Sequence, residues 1–255
     1  MNTNTQNRVV MDQYTPQAQA YLRSAVHAQG KDLEHIAEHI GQRPDAIALD
    51  MGCGGGHVAF RLAGLVKEVV AHDVTQAMLD TVAAEAQRRG LTNIVTQCGS
   101  AEALSCPDAA FDVVATRYSA HHWHAFAQGL AQMHRVLKPG GLALFADVVT
   151  PGLALLDTWL QSMELLRDSS HVRNASLGEW TSTLGSLGFA IDAVEHYKLR
   201  LEFASWTARM NTPATHTAAI RSLQQRAAAA VTDYFAIESD GSFTVDSVLI
   251  VARKA

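Results

Sequence analysis

The stretch Ala48-Leu49-Asp50-Met51-Gly52-Cys53-Gly54-Gly55-Gly56 ends an apolar strand and opens a helix, so it can bring bare backbone against a ligand. Glycines at 52, 54 and 56 remove the Cβ atoms that would hold a ligand away and permit φ angles that other residues resist. The helix that follows offers N–H groups to a polar partner. Dinucleotide folds place Gly-x-Gly-x-x-Gly at this point. Here the pattern is Asp-x-Gly-x-Gly-x-Gly, with the acid inside the strand end and the last glycine one place early, which favours a nucleoside carrying an amino acid. About twenty residues on, Glu68-Val69-Val70-Ala71-His72-Asp73 reads as a second strand ending in a carboxylate, whose two oxygens can accept from both hydroxyls of a ribose.

Further along, Arg117-Tyr118-Ser119-Ala120-His121-His122-Trp123-His124 gathers three imidazoles in four residues. Successive residues diverge on any regular element and no carboxylate accompanies them at a ligand-like interval, so no metal site is expected. His121 or His122 is instead a candidate general base, since an imidazole titrates near neutrality. His171 is a second candidate. Arg173 and Arg209, on stretches that mix aromatic, cationic and hydrogen-bonding groups, are candidates to hold an acidic group on a small substrate. Cys53 has no base beside it in sequence and is read as a small residue whose backbone meets the ligand, not as a nucleophile.

Elements that position these residues alternate strand and helix through the first two thirds of the chain, the pattern of a parallel sheet covered on both faces. Ile47 to Asp50, Val69 to Asp73, Ile94 to Cys98, Phe111 to Thr116 and Leu142 to Asp147 are five apolar runs of strand length, and residues 243–252 form a last strand. Thr15-Pro16 reads as a cap and first turn, a second helix runs from Asp32 to Gly41, and Thr75 caps a helix ending at Gly90. Trp123 to Leu137 has helical spacing before the turn at Pro139-Gly140-Gly141. Ser176-Leu177-Gly178-Glu179 has capping-box spacing and opens a helix that Gly188 ends. Residues 151–176 and 198–239 exceed a minimal sheet and are expected as helical cover, with Thr212-Pro213 starting a helix that contains Ala227 to Ala230.

At 255 residues, 48% hydrophobic and 18% charged, the chain can bury a substantial core and is not disordered. A net charge of −5 gives no general attraction to nucleic-acid phosphates. Cys53, Cys98 and Cys106 form no Cys-x-x-Cys pair, which suits the reducing cytoplasm, and neither an export signal nor a membrane-inserting segment is read.

Asp50 to Gly56, Asp73 with Val74-Thr75-Gln76-Ala77-Met78, Gly99-Ser100-Ala101-Glu102, Phe111-Asp112-Val113-Val114 and Leu137-Lys138-Pro139-Gly140-Gly141 occur in the order and spacing of one family. The chain resembles class I S-adenosylmethionine-dependent methyltransferases, in a small-molecule branch similar to the ubiquinone and menaquinone enzymes. The resemblance implies an α/β, Rossmann-like, seven-stranded and mostly parallel doubly wound sheet in a single domain. Residues 1–44 would be an N-terminal helical cover and 45–150 the cofactor-binding core. It implies S-adenosyl-L-methionine as cofactor, S-adenosyl-L-homocysteine as product, and transfer by in-line displacement to a small-molecule acceptor. Asp50, Gly52, Cys53, Gly54, Asp73, Val74, Met78, Ser100, Ala101 and Arg117 would surround the cofactor, with Tyr14, Tyr21, Ser24 and His27 from the N-terminal cover. Relatives usually carry aspartate where this chain has Ser100, which brings no charge to the adenine. No Asn-Pro-Pro-Tyr or Asp-Pro-Pro-Tyr follows the fourth strand, which argues against nucleic-acid bases as acceptors. A nicotinamide-dependent oxidoreductase, which would show a Tyr-x-x-x-Lys pair, and a non-catalytic binder of the same cofactor are the rival readings. Oligomeric state, a homodimer included, is left open.

Overall fold

Seven strands form one sheet in the order β3-β2-β1-β4-β5-β7-β6: β1 (Arg43–Met51), β2 (Val66–Asp73), β3 (Ile94–Cys98), β4 (Phe111–Arg117), β5 (Leu137–Val149), β6 (Phe189–Leu201) and β7 (Phe243–Lys254). Strands β1 to β5 pair in parallel, and β7 lies antiparallel to both β5 and β6. The structure, a computed structural model, describes residues 5–22 and 30–255, so Ser24 and His27 lie outside the described residues.

The helices are α1 (Gln6–Tyr14), α2 (Ala18–Leu22), α3 (Lys31–Ile40), α4 (His57–Leu62), α5 (Gln76–Arg88), α6 (Phe126–Val136), α7 (Ala154–Arg167), α8 (Leu177–Ser186), α9 (Phe203–Arg209), α10 (Ala214–Gln225) and α11 (Ala229–Tyr234). Central strands of a parallel sheet are covered on both faces and therefore read as unbroken apolar runs. Val113, Val114 and Ala115 in β4 and Ala143, Leu144 and Phe145 in β5 are accordingly fully buried. One face packs against Ile36, Val58, Leu62 and Val82 from α3, α4 and α5, and the other against Leu130, Met133 and Trp180 from α6 and α8. A third cluster joins Leu160, Trp206, Ile220 and Val231 of α7, α9, α10 and α11 to Leu201 of β6 and Phe243 of β7. These helices cover one end of the sheet.

Several local expectations change. Residues 198–201 belong to β6, so the helical cover expected over 198–239 begins only at α9. That strand sits at the sheet edge, where charged and polar side chains interrupt the apolar ones and hide the strand from a search for apolar runs. Helix α1, polar and without a buried residue, precedes Thr15-Pro16, which fills a 3₁₀ turn between α1 and α2 and does not open the first helix. Ala227 and Ala228 lie between α10 and α11 and not within one helix. Thr75 takes the N-cap position of α5 without accepting a side-chain bond, whereas the Ser176–Glu179 capping box forms in full. The bounds of β5 span the Pro139–Gly141 turn, and pairing to β4 jumps from Leu137 to Leu142 across it.

Candidate functional site

Strand order reverses between β1 and β4, so the loops that leave their carboxyl ends diverge and open a crevice there. The glycine turn after β1 and the His121-His122 loop after β4 line this crevice, a cleft of about 1410 Å³ of atom-free space including its mouth. Asp73 at the end of β2, Ala101, Tyr14 and Tyr21 line it as well.

Three hydrogen bonds shape the glycine turn. Gly54 N–H donates to Asp73 Oδ2 at 2.9 Å, Thr75 N–H donates to Asp73 Oδ1 at 2.8 Å, and Ala59 N–H donates to Asp50 Oδ2 at 2.9 Å. One first-turn N–H of α4 is thus taken by Asp50 and not left for a ligand. Burial pushes the Asp50 carboxyl up to about 7, against the Ala59 bond that lowers it. Burial likewise raises Asp73. The Cys53 thiol, buried beside both carboxylates, is pushed well above its ordinary value, which opposes thiolate chemistry.

Among the glycines, Gly54 has φ +49° and open space where a Cβ would stand, which is the vacancy an approaching ligand needs. Gly52, with φ +71°, lines the cleft, yet the volume its side chain would need is filled by Ser119. Gly56 serves packing, since a Cβ there would meet Val82 Cγ2 at 2.8 Å. Backbone of Tyr21 and Leu22 lies 3.0 Å from the Cβ position of Gly55, so α2 rests directly on the turn.

Val74 and Met78 line the cleft with Ala101, whereas Ser100 does not: its hydroxyl donates to Glu102 Oε2 at 2.6 Å. Glu102 itself lines the cleft. Arg117 lines it too and is held by a buried fork to Asp32 of α3, with Nη2 to Oδ1 at 3.0 Å.

The three candidate histidines separate clearly. His121 Nδ1 meets Asp147 Oδ1 at 2.6 Å. Burial lowers its pKa, but the charge and hydrogen bond of Asp147 prevail and hold it above the ordinary imidazole value. His122 Nε2 lies 2.8 Å from the Tyr14 hydroxyl, which donates to Asp168 Oδ2 at 3.0 Å. Burial and the neighbouring His121 pull His122 down to about 4, so it is a neutral strut under α1. His171 is absent from the cleft lining; its Nε2 bonds Gln161 Oε1 at 2.9 Å behind the wall, and burial pulls it down to about 2. That position removes it as a base.

Arg173 is also away from the cleft, paired on the outside with Glu179 at 2.6 Å and Asp157 at 3.1 Å, and so does not reach a ligand there. Arg209 does line the cleft, beside Arg167 and Glu164 of α7. Neither of these last two was singled out from the sequence. The available signal was their place at i and i+3 with Leu160 and Met163, which puts charge on the buried face of a helix.

Among the described residues, no group of three or more His, Cys, Asp or Glu side chains is placed to hold a metal. No helix among them is long and apolar enough to cross a membrane.

Comparison with known proteins matches this architecture. The methyltransferase domain family matches residues 49–145, from β1 through β5. The protein YafE of Escherichia coli, whose function is uncharacterized, is 47% identical over 80% of this chain and 99% of its own length. The methyltransferase YcgJ of Bacillus subtilis is 32% identical over 94% of this chain and 97% of its own. Its crystal structure superposes with a TM-score of 0.84 over 88% of this chain and 98% of that one. The ubiquinone/menaquinone biosynthesis C-methyltransferase UbiE of Shewanella is 32% identical over 46% of this chain and 48% of its own. The chain belongs to the class I S-adenosylmethionine-dependent methyltransferases, with their seven-stranded fold.

Proposed function

We propose that this enzyme methylates a small, partly apolar molecule held at the end of the cleft formed by α7 and α9, with S-adenosylmethionine seated between the glycine turn and Asp73. The observation that carries this reading is that Asp73, the open flank of Gly54 and His121, which Asp147 holds from behind, are joined by one continuous cleft. When bound, S-adenosylmethionine supplies an electrophilic methyl group on a sulfonium.

Asp73, buried and already fixed by two backbone N–H groups, receives the ribose hydroxyls on its remaining lone pairs. Asp50 attracts the ammonium of the methionine moiety, Ala101 and Met78 flank the adenine, and Tyr14 and Tyr21 close the cleft from the N-terminal helices. His121 takes the proton that the acceptor loses, while Asp147 fixes the orientation of its ring. Most of the acceleration comes from holding acceptor and methyl in line. Similarity to UbiE over the cofactor half supports a small-molecule acceptor, as does a net charge of −5, which does not draw in a polyanion.

Calorimetry with S-adenosylhomocysteine tests the cofactor site. Binding should be seen with the natural protein and should weaken by about 1–3 kcal/mol in Asp73→Ala, the magnitude of lost charged hydrogen bonds. Unchanged affinity in the variant would remove Asp73 from the ribose.

A further inference from the structure

Two polar side chains at the α7 end of the cleft are nine-tenths or more buried, and no group assigned to the cofactor or to proton transfer satisfies them. Glu164 is 8% exposed, yet its carboxylate has no hydrogen-bond donor among the described residues; the Arg167 guanidinium, at 3.6 Å, is its nearest ion-pair partner. Asn174 is 2% exposed, and its side-chain nitrogen is buried with no partner. Both line the cleft.

Neither is loosely placed. The Gln161 side chain of α7 clamps the Asn174 backbone, donating to its carbonyl at 2.9 Å and accepting from its N–H at 3.0 Å. Val172 N–H and Arg173 N–H donate to the His121 carbonyl, so the loop carrying Asn174 is tied to the loop carrying the base. A buried polar group without a partner is costly to folding, and folds retain such a cost where a ligand relieves it. The surrounding wall sets apolar side chains, Val148, Leu199, Leu201 and Trp206, beside the Arg167 and Arg209 guanidiniums.

We infer that Glu164 and Asn174 are the polar half of the acceptor site: Asn174 donates to an oxygen of the acceptor, and Glu164 receives an O–H or N–H from it. The acceptor class is therefore an apolar body that carries both a hydrogen-bond donor and an accepting oxygen, as in a dihydroxylated or amino-hydroxylated ring. This rests on the reading that the α7 end of the cleft holds the methyl acceptor.

The test titrates the full chain, saturated with S-adenosylhomocysteine, with the three benzenediols and their dimethyl ethers, whose spacings scan ortho, meta and para. At least one diol should bind about tenfold more tightly than its ether. Glu164→Met, which has no accepting oxygen, should erase that preference without weakening the ether, and Asn174→Ala should weaken diol and ether alike by about tenfold. Retained S-adenosylhomocysteine affinity certifies each fold; if Asn174→Ala does not fold, the Glu164→Met comparison decides alone. The inference is overturned if the loaded protein binds no diol, binds diols and ethers equally, or keeps its diol preference in Glu164→Met. Failure of the natural protein to bind S-adenosylhomocysteine is a separate result, which strikes the cofactor reading instead.

Discussion

His121, in the loop after β4, and Asp147, near the end of neighbouring β5, face each other, Nδ1 to Oδ1 at 2.6 Å, with Asp147 Oδ1 also fixed by the Val148 N–H at 2.8 Å. Burial alone would hold the imidazole neutral; the carboxylate outweighs it and raises the pKa. A base acts in its neutral form, so activity should climb as pH rises through this raised value. In Asp147→Asn the amide oxygen still accepts from Val148, but the charge is gone and burial is left to dominate. The acidic limb of the kcat profile should therefore move to lower pH, and the plateau should fall about tenfold as the ring loses its orientation. A profile that stays in place would exclude His121 as the base.

Asp50 gives a prediction of opposite sense for stability and for binding. Its folded pKa stands at about 7, above the ordinary value of 3.8. The folded state therefore holds a proton that the unfolded chain releases, and between those two values stability falls as pH rises. Asp50→Asn keeps the bond from Ala59 and removes the buried charge. The variant without cofactor should be more stable at pH 7.5, on the order of 1 kcal/mol, and should lose that part of the pH slope in thermal melts. Its S-adenosylhomocysteine affinity should drop, because the ammonium loses an opposing charge. In the natural protein the same affinity should strengthen as pH rises through 7. A variant less stable than its parent at pH 7.5 contradicts the argument.

Much of the fold was legible because central parallel strands are buried on both faces. The runs ending at Asp50, Asp73 and Thr116 needed no other signal, and the glycine turn marked the crevice between them. Edge strand β6 was not legible: with one face toward solvent, it alternates apolar residues with Asp192, Glu195, Lys198 and Arg200. In the site, the place of Asp73 on the cleft could be read because the residue ends a strand, while that of Ala101 followed from the family resemblance. The sorting of the histidines could not be. His121, His122 and His171 are told apart by Asp147, Tyr14 and Gln161 respectively, partners that the fold and not the local spacing brings to each ring. Arg173 looked like a ligand group from its neighbours, but its partners Asp157 and Glu179 sit on two helices whose contact the sequence does not reveal.

The glycine turn predicts different failures at two neighbouring positions. At Gly52 an added Cβ would overlap Ser119, whose hydroxyl accepts from Trp123 Nε1 at 3.3 Å, and φ of +71° adds strain for any L residue. Left-handed backbone alone costs about 1–2 kcal/mol, and the displaced Ser119 adds to it. Gly52→Ala should therefore melt well below the natural protein, and adding Ser119→Gly should restore the steric part while the backbone part persists. At Gly54, with φ +49° and nothing within 4 Å of the Cβ position, the strain remains but the overlap does not. Gly54→Ala should lose only about 1–2 kcal/mol of stability, while its methyl group enters the open flank of the proposed cofactor site and lowers S-adenosylhomocysteine affinity at least tenfold. Thermal melts and calorimetry on the three variants read the two effects separately. Equal melting temperatures for Gly52→Ala with and without Ser119→Gly would show that Ser119 does not set the requirement for glycine at 52.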